Sequence, residues 1–249
     1  MRTHSALSVL AAAFLLLLPS CKKPEKEPEP EKVVIPEAVD LGLSVKWASF
    51  NVGATKPGEV GYFVAWGETA PKDVYYKWES YAWCNNEPAR LTKYNYNPKY
   101  GSDPDYRFIL KPEDDIAHVL YGGNWHVPTP EEIKELIDAT FLTQSVERVG
   151  SYDCLKITST KTGNSILIPA GGLCDESRYP RYQNSAGYFW SAEIEYTANH
   201  LMLDAYNPSN GVFFHVSPIA RTSGIESLSL KTFPRSFGMN IRAVSGPQK

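Results

Sequence analysis

An α+β fold is the expectation for this chain, and three observations carry it. Strand-like alternation opens the globular part at Val39. Two short amphipathic helices follow mid-chain, joined through the turn around Gly123–Thr129. Short β-branched and aromatic runs then fill the rest of the sequence. Strands, then a pair of helices, then more strands is the element order of α+β domains. The expectation is a single domain over 38–246, with several short antiparallel strands and long irregular loops.

In order, Leu41, Leu43, Val45 and Trp47 alternate with small or polar residues, the pattern of a half-buried strand or hairpin. Asn51-Val52-Gly53-Ala54 and Pro57-Gly58 carry turn chemistry, and Gly61–Thr69 is a second strand-like run. The first helix is placed from Pro112, whose missing N–H costs nothing in a first turn. Glu113, Asp114 and Asp115 suit the positive end of its dipole. Ile116, Val119 and Leu120 would form its apolar face, and Gly122 would stop it. The second helix has Thr129 as N-cap, Pro130 as first residue and Glu132 closing a capping box. Ile133, Leu136 and Ile137 make its buried stripe. Strands are then expected at 165–169, 187–192, 200–205, 211–216 and 239–244. Ser217–Phe237 reads as a polar stretch without a strong period.

The N-terminus reads as an address. Ala6–Leu18 is apolar apart from Ser8, too short for a spanning helix of about 20 residues and suited to a signal-peptide core. It ends Leu18-Pro19-Ser20-Cys21, a lipobox-like sequence in which Cys21 would carry the lipid. Residues 1–20 are thus a lipoprotein signal peptide, and several acyl chains anchor where one would not. Residues 21–37, rich in Pro, Glu and Lys, read as an extended tether, since they hold too little apolar surface to offset their ordering entropy. The acidic run after Cys21 resembles a surface-export signal, with a plain solvated linker as the equal alternative. The expected location is the outer membrane or cell surface, with the membrane as partner through the lipid. The 25 basic residues less Arg2 leave 24 against 28 acidic, a net of −4 in the mature chain. That balance excludes nucleic acid as a partner, which needs clustered Lys and Arg.

Cys84, Cys154 and Cys174 are left after the lipid site, an odd number. A Cys154–Cys174 bridge is open in an oxidising compartment. With no C-x-x-C, a zinc or redox site has no support. None of His118, His126, His200 and His215 forms an i,i+4 pair or sits at ligand spacing from a carboxylate, so no metal site is assigned. Calcium is the one cofactor left open, through Asp114-Asp115, although first-turn acids already explain that pair. There is no nucleophile elbow and no phosphate loop.

Residues 72–108 are the candidate recognition region. Nine Tyr and Trp residues sit there among Lys, Asn, Pro and Asp with no clean period. Loops of that length are functional or pinned by their own aromatic core. Trp78, Tyr81, Trp83 and Tyr94 are the candidate ligand-binding residues, by stacking on sugars or docking a partner. The competing reading is that these rings fill a loop-rich core. Trp125 and Trp190 are expected in the core.

Several motifs run in order along the chain: Val39–Ala48, Asn51–Ala54, Ala65–Thr69, Leu91–Asn95, Asp114-Asp115 with Ala117, Gly123–Trp125 with Pro128, Thr129 and Glu132, Ile168–Gly172, Gly187–Ser191, and Gly238 with Ile241–Val244. In these the chain resembles the Fibrobacter succinogenes major paralogous domain family of Bacteroidetes surface lipoproteins, over nearly all of residues 39–244. That family is similar to the sulfatase-modifying-factor group, which implies a C-type-lectin-like fold. The chain departs from it at His126, where the family carries Arg, at Ala243, where Pro is common, and over 217–237, which is longer. The departure at His126 bears on ligand contacts there more than on the fold. Formylglycine-generating relatives need a redox-active cysteine pair late in the domain, and the last cysteine here is Cys174. Asn86-Glu87-Pro88 resembles part of the sugar-binding triplet of C-type lectins but lacks its following Asn and a downstream partner. The expectation is therefore a non-catalytic binding module, not an enzyme, recognising a glycan or a surface protein. The alternative is a structural or assembly component of the envelope or fimbriae.

Overall fold

Thr129 opens the second helix as its sequence requires. In the computed structural model, Thr129 Oγ1 accepts from Glu132 N at 3.3 Å, and Thr129 N donates to Glu132 Oε2 at 2.8 Å. This box starts α2 (Pro130–Asp138), which buries Ile133 and Leu136 and half-buries Ile137. The structure describes residues 33–177, 179–196, 207–218 and 228–247. The signal segment, Cys21, the tether as far as residue 32 and the strand expected at 200–205 lie outside them.

The first helix begins later than the sequence suggests. Pro112–Asp114 is a separate 3-10 turn, and Asp115, in extended backbone, caps α1 (Ile116–Tyr121). The later start rotates the buried face onto Ile116 and Ala117, leaving Val119 half-exposed. Asp115 satisfies more than its helix. Oδ1 accepts from Ala117 N and His118 N, and Oδ2 accepts from Val127 N at 2.8 Å across the turn.

The described strands form three small antiparallel sheets. One holds β1 (Ala38–Val39), β2 (Lys46–Ala48), β3 (Trp125–His126) and β10 (Val244–Ser245), in the order β1-β2-β10-β3, so the two ends of the domain lie side by side. The second runs β4 (Leu142–Val149), β5 (Tyr152–Ser159), β6 (Ser165–Pro169), and the third β7 (Gly187–Ile194), β8 (Asn210–Val216), β9 (Leu228–Pro234). The runs at 165–169, 187–192 and 211–216 are strands as expected. Gly61–Thr69 is not. Its amides donate in turn to Val52, Met239 and Arg235 carbonyls, three separate partners that form no ladder. The hairpin β4–β5 and the strand β9 inside the polar stretch were not apparent from periodicity. Both β4 and β9 are outer strands with polar exposed positions, so their apolar signal is diluted.

Two large apolar clusters make the core. One gathers around Trp66, Trp190, Ile116, Phe213 and Ile241, the other under α2 around Trp47, Ile133, Leu155, Ile168 and Phe214. Trp66 and Trp190 are tied reciprocally: Trp66 Nε1 donates to the Ser191 carbonyl at 2.9 Å and Trp190 Nε1 to that of Val64 at 3.0 Å. Trp125 only half-enters, against Tyr121. Cys84, Cys154 and Cys174 are all free, so the Cys154–Cys174 bridge is not formed. Cys154 lies in β5 opposite Pro169, while Cys174 bridges to Gly238.

Arg242 is the most constrained polar group. It is buried, with Nε on Asn51 Oδ1 at 2.8 Å, one terminal nitrogen on the Ala48 carbonyl at 2.9 Å and the other on Leu167 at 2.6 Å. Burial pulls its pKa down to about 9, which still leaves it charged near neutrality. Its five donors in a rigid fork reach three segments at once, which a lysine cannot do. Arg242→Met should lower stability by about 2–4 kcal/mol, since buried acceptors left without a donor cost about 1–3 kcal/mol each, and Arg242→Lys should recover little of it. Urea unfolding midpoints check this, and a near-neutral Arg242→Lys would contradict it.

Candidate binding site

The aromatic region divides into rings that hold it and rings that face out. Tyr94 is fully buried, at a left-handed φ of 56°. Its hydroxyl donates to Asp114 and accepts from Lys111 N at 2.9 Å, and its ring meets Trp66 edge-on at 5.0 Å. Tyr81 is also buried, its hydroxyl donating to the Trp66 carbonyl at 2.9 Å. Between them lies Arg235, fully buried, its guanidinium 5.4 Å from the Trp66 ring and 5.6 Å from that of Tyr81. It donates to the Lys93 and Tyr94 carbonyls, and its Nε–H faces no acceptor. For Tyr81 and Tyr94 the core-filling reading therefore applies. Their faces are covered by protein and offer nothing to a ligand.

Trp78 and Trp83 stand between. Trp78 meets Tyr81 edge-on at 5.6 Å. Trp83 Nε1 donates to the Gly67 carbonyl at 3.1 Å, and one face carries Lys93 Nζ at 4.4 Å, itself paired with Asp114. Both indoles are half-buried, so Trp78, Tyr81 and Trp83 do not make one exposed patch.

Three apolar groups of the region are exposed: Val74 and Tyr75, 61% and 49% accessible, and Tyr106, 69%. Val74 and Tyr75 belong to a ridge, Pro71–Tyr75, between two solvent-open concavities. The first, about 560 Å³, is lined by Tyr62, Phe63, Tyr75, Tyr76, Cys174 and Ser177, among others. The second, about 610 Å³, is lined by Gly67–Val74, Ser80, Ala82, Trp83, Glu113 and Asp114. Pro71, Lys72, Asp73 and Val74 line both.

Lys72 fixes the ridge. Its Nζ pairs with Glu68 Oε1 at 2.8 Å and donates to the Ser80 carbonyl, and its backbone N–H donates to Tyr76 Oη at 3.2 Å. Tyr76 Oη in turn donates to the Phe63 carbonyl, and burial raises its pKa to about 12, so it stays a neutral donor. Tyr76 N reaches the Asp175 carbonyl at 3.2 Å, and the Asp175 carboxylate takes Ser177 and Arg181. Tyr75 was not among the residues singled out in the sequence. The signal available was the tandem Tyr75-Tyr76: neighbours in extended chain point opposite ways, so one of the pair faces out.

The acid groups weighed for calcium are already engaged. Asp115 holds three backbone N–H groups, and Asp114 holds Lys93 and Tyr94. Glu87 pairs with Arg90. Among the described residues no group of three His, Cys, Asp or Glu side chains is placed to hold a metal. Burial pushes the thiols of Cys154 and Cys174 up to about 11 and about 12, and raises that of Cys84, so none is an activated nucleophile. His126 does meet a carboxylate. Its Nε2 lies 3.1 Å from Glu132 Oε1, and its Nδ1 lies 3.0 Å from the Asn124 carbonyl. Glu193, pushed up to about 7, and His215, pulled down to about 4, both by burial first, line neither concavity.

No family model, curated protein or solved structure matches the chain.

These shifts give stability a pH dependence. Glu193, raised by burial and then by Glu131, keeps its proton in the fold after the unfolded chain has lost it. The resulting penalty is absent below the ordinary value of 4.5 and complete above about 7. For His126, burial acts downward, but the Glu132 hydrogen bond, the Asn124 carbonyl and nearby carboxylates prevail, and the pKa is raised. Its contribution is complete below the unfolded value of about 6.5 and is lost as pH rises through the raised one. Glu193→Gln should thus add roughly 1 kcal/mol at pH 8, after allowance for solvent screening, and nothing at pH 4. Urea midpoints at the two pH values decide it, and an equal gain at both would assign the effect to packing.

Proposed function

We propose that the protein is a non-catalytic recognition module, carried outside the cytoplasm on a lipid at Cys21, that binds glycan through the concavity beneath Tyr75. The observation that carries this is the mixed lining of that concavity: Tyr62, Phe63, Tyr75 and Tyr76 beside Lys72, Asp73 and Ser177. A sugar presents an apolar face and a polar edge. Aromatic rings take the first, and convergent polar groups orient the second. The ridge is held by Lys72 and Tyr76 before any ligand arrives, so little ordering is left to be done on binding.

The resemblance to the major paralogous domain family, and the C-type-lectin-like fold it implies, belong to this reading. Two helices, short antiparallel strands and ends paired through β2 and β10 are in keeping with it. The raised thiols argue against sulfur nucleophile chemistry. An envelope assembly component would need an apolar open edge. The outer strands β4 and β9 instead each expose a single large apolar side chain, Val146 and Phe233, among polar ones such as Thr143, Glu147, Arg148 and Lys231.

A glycan array with the intact protein in detergent, run with calcium and with chelator, is the test. Saturable binding is expected, insensitive to chelator and reduced about tenfold by Tyr75→Ala, the scale of one lost aromatic platform. Tyr94→Phe should leave that binding unchanged while costing about 1–3 kcal/mol of stability, because Lys111 N and Asp114 lose a buried partner. A blank array would remove the glycan reading and turn the search to a surface protein.

A further inference from the structure

The concavity beneath Tyr75 does not stand alone, and its neighbour bears on what kind of glycan it takes. Resting on the glycan reading above, we infer that the ligand is a neutral, linear oligosaccharide laid across the Pro71–Val74 ridge, with sugar units in both concavities.

The shared wall is the first ground. Pro71, Lys72, Asp73 and Val74 line both spaces, so a chain leaving one over the ridge enters the other without crossing unrelated surface. Openness is the second. A site for a single small molecule encloses about 70–90% of its ligand. These two spaces are open to solvent, so each touches mainly one side of what it holds, and affinity has to be gathered along a length. Each also offers an aromatic wall, Tyr75 and Tyr62 in the first and Trp83 in the second. The ridge between them is rigid, since Lys72 is held by Glu68 on one side and by Ser80 on the other. An extended ligand therefore meets two preset platforms, and joining its units makes the second contact intramolecular.

Charge selects the class. Of the four acids in the second concavity, Glu68 is paired with Lys72, Asp114 with Lys93 and Glu113 with Lys111. That leaves Asp73, on the ridge shared by both spaces, as the acid without an ion pair among the described residues. Carboxylates accept hydrogen bonds from sugar hydroxyls but repel uronate and sulfate groups. Asp73 would thus orient a neutral chain laid over the ridge and oppose an anionic one.

The experiment is calorimetry on the intact protein in detergent with ladders of one to six units. Four neutral series serve as probes: β1,4-glucose, α1,4-glucose, β1,4-mannose and β1,4-N-acetylglucosamine. A galacturonate ladder is the anionic control. Ala82 is exposed and lines only the second concavity, so Ala82→Arg fills that space and leaves Tyr75 untouched. At least a tenfold gain in affinity from monomer to tetramer is expected in one neutral series. Ala82→Arg should remove the gain and leave monomer binding in place, and the galacturonate ladder should stay silent. Equal affinity for monomer and hexamer, or a length gain that survives Ala82→Arg, would overturn the inference while leaving a single-concavity glycan site. Galacturonate binding as tight as the neutral series would overturn the charge selection. Silence from all four neutral series would overturn both the inference and the glycan reading beneath it.

Discussion

A single buried guanidinium closes this domain. Arg242 lies two residues before the last strand and holds Asn51, the Ala48 carbonyl and the Leu167 carbonyl together. Among the described residues no carboxylate pairs with it. Its partners are two backbone carbonyls and a side-chain amide, which satisfy its donors without adding a second ion to desolvate. The arrangement exists only when the N-terminal strand, β6 and the C-terminal segment are all in place. Closure is therefore a property of the whole chain and cannot be reached by any one sheet alone. That the three sheets are small, and that three strands of the closing sheet are two residues long, makes such cross-links necessary.

Two buried carboxylates do the same work mid-chain. Asp115 caps α1 and also holds Val127, while Glu132 closes the box of α2 and also meets His126. Each acid thus serves its own helix and the turn joining the two. His126 stands where the resemblance leads one to expect Arg, and it still presents a ring N to Glu132. Many of the residues that carry the resemblance (Trp47, Asn51, Trp66, Asp115, Glu132, Trp190, Arg242) are buried joints of the frame.

What could be read from the sequence follows the same division. The capping box of α2 was plain, because Thr129, Pro130 and Glu132 act within four residues. Strands buried on both sides, such as β6 and β7, were plain from their β-branched and aromatic runs. The first helix was placed too early, because Pro112 suits a first helical turn but opens a separate 3-10 turn here, and Asp115 is the cap, held to Ala117 and His118 locally and to Val127 across the turn. The β4–β5 hairpin and β9 were hidden by polar outer positions. Gly61–Thr69 looked like a strand but is extended chain shared among three partners. Among the candidate ligand residues, Tyr81 and Tyr94 could not be told from rim residues by local pattern. What buries them is Arg235, more than 140 residues away, together with Trp66 and Asp114.

Arg235 also explains why so irregular a region can present a defined surface. A loop of this length, with no sheet of its own, would ordinarily lose its shape to conformational entropy. Here an enclosed cation lies against the Trp66 and Tyr81 rings and draws in the Lys93 and Tyr94 carbonyls. The aromatic faces stabilise the charge, which makes no ion pair among the described residues. Its geometry in turn holds the inner rings, and Lys72 carries that order outward to the ridge. The inner aromatics are thus spent on rigidity, and the outer ones, Tyr75 and Tyr106, keep exposed faces. The shape of such a surface depends on the buried rings as much as on the exposed ones.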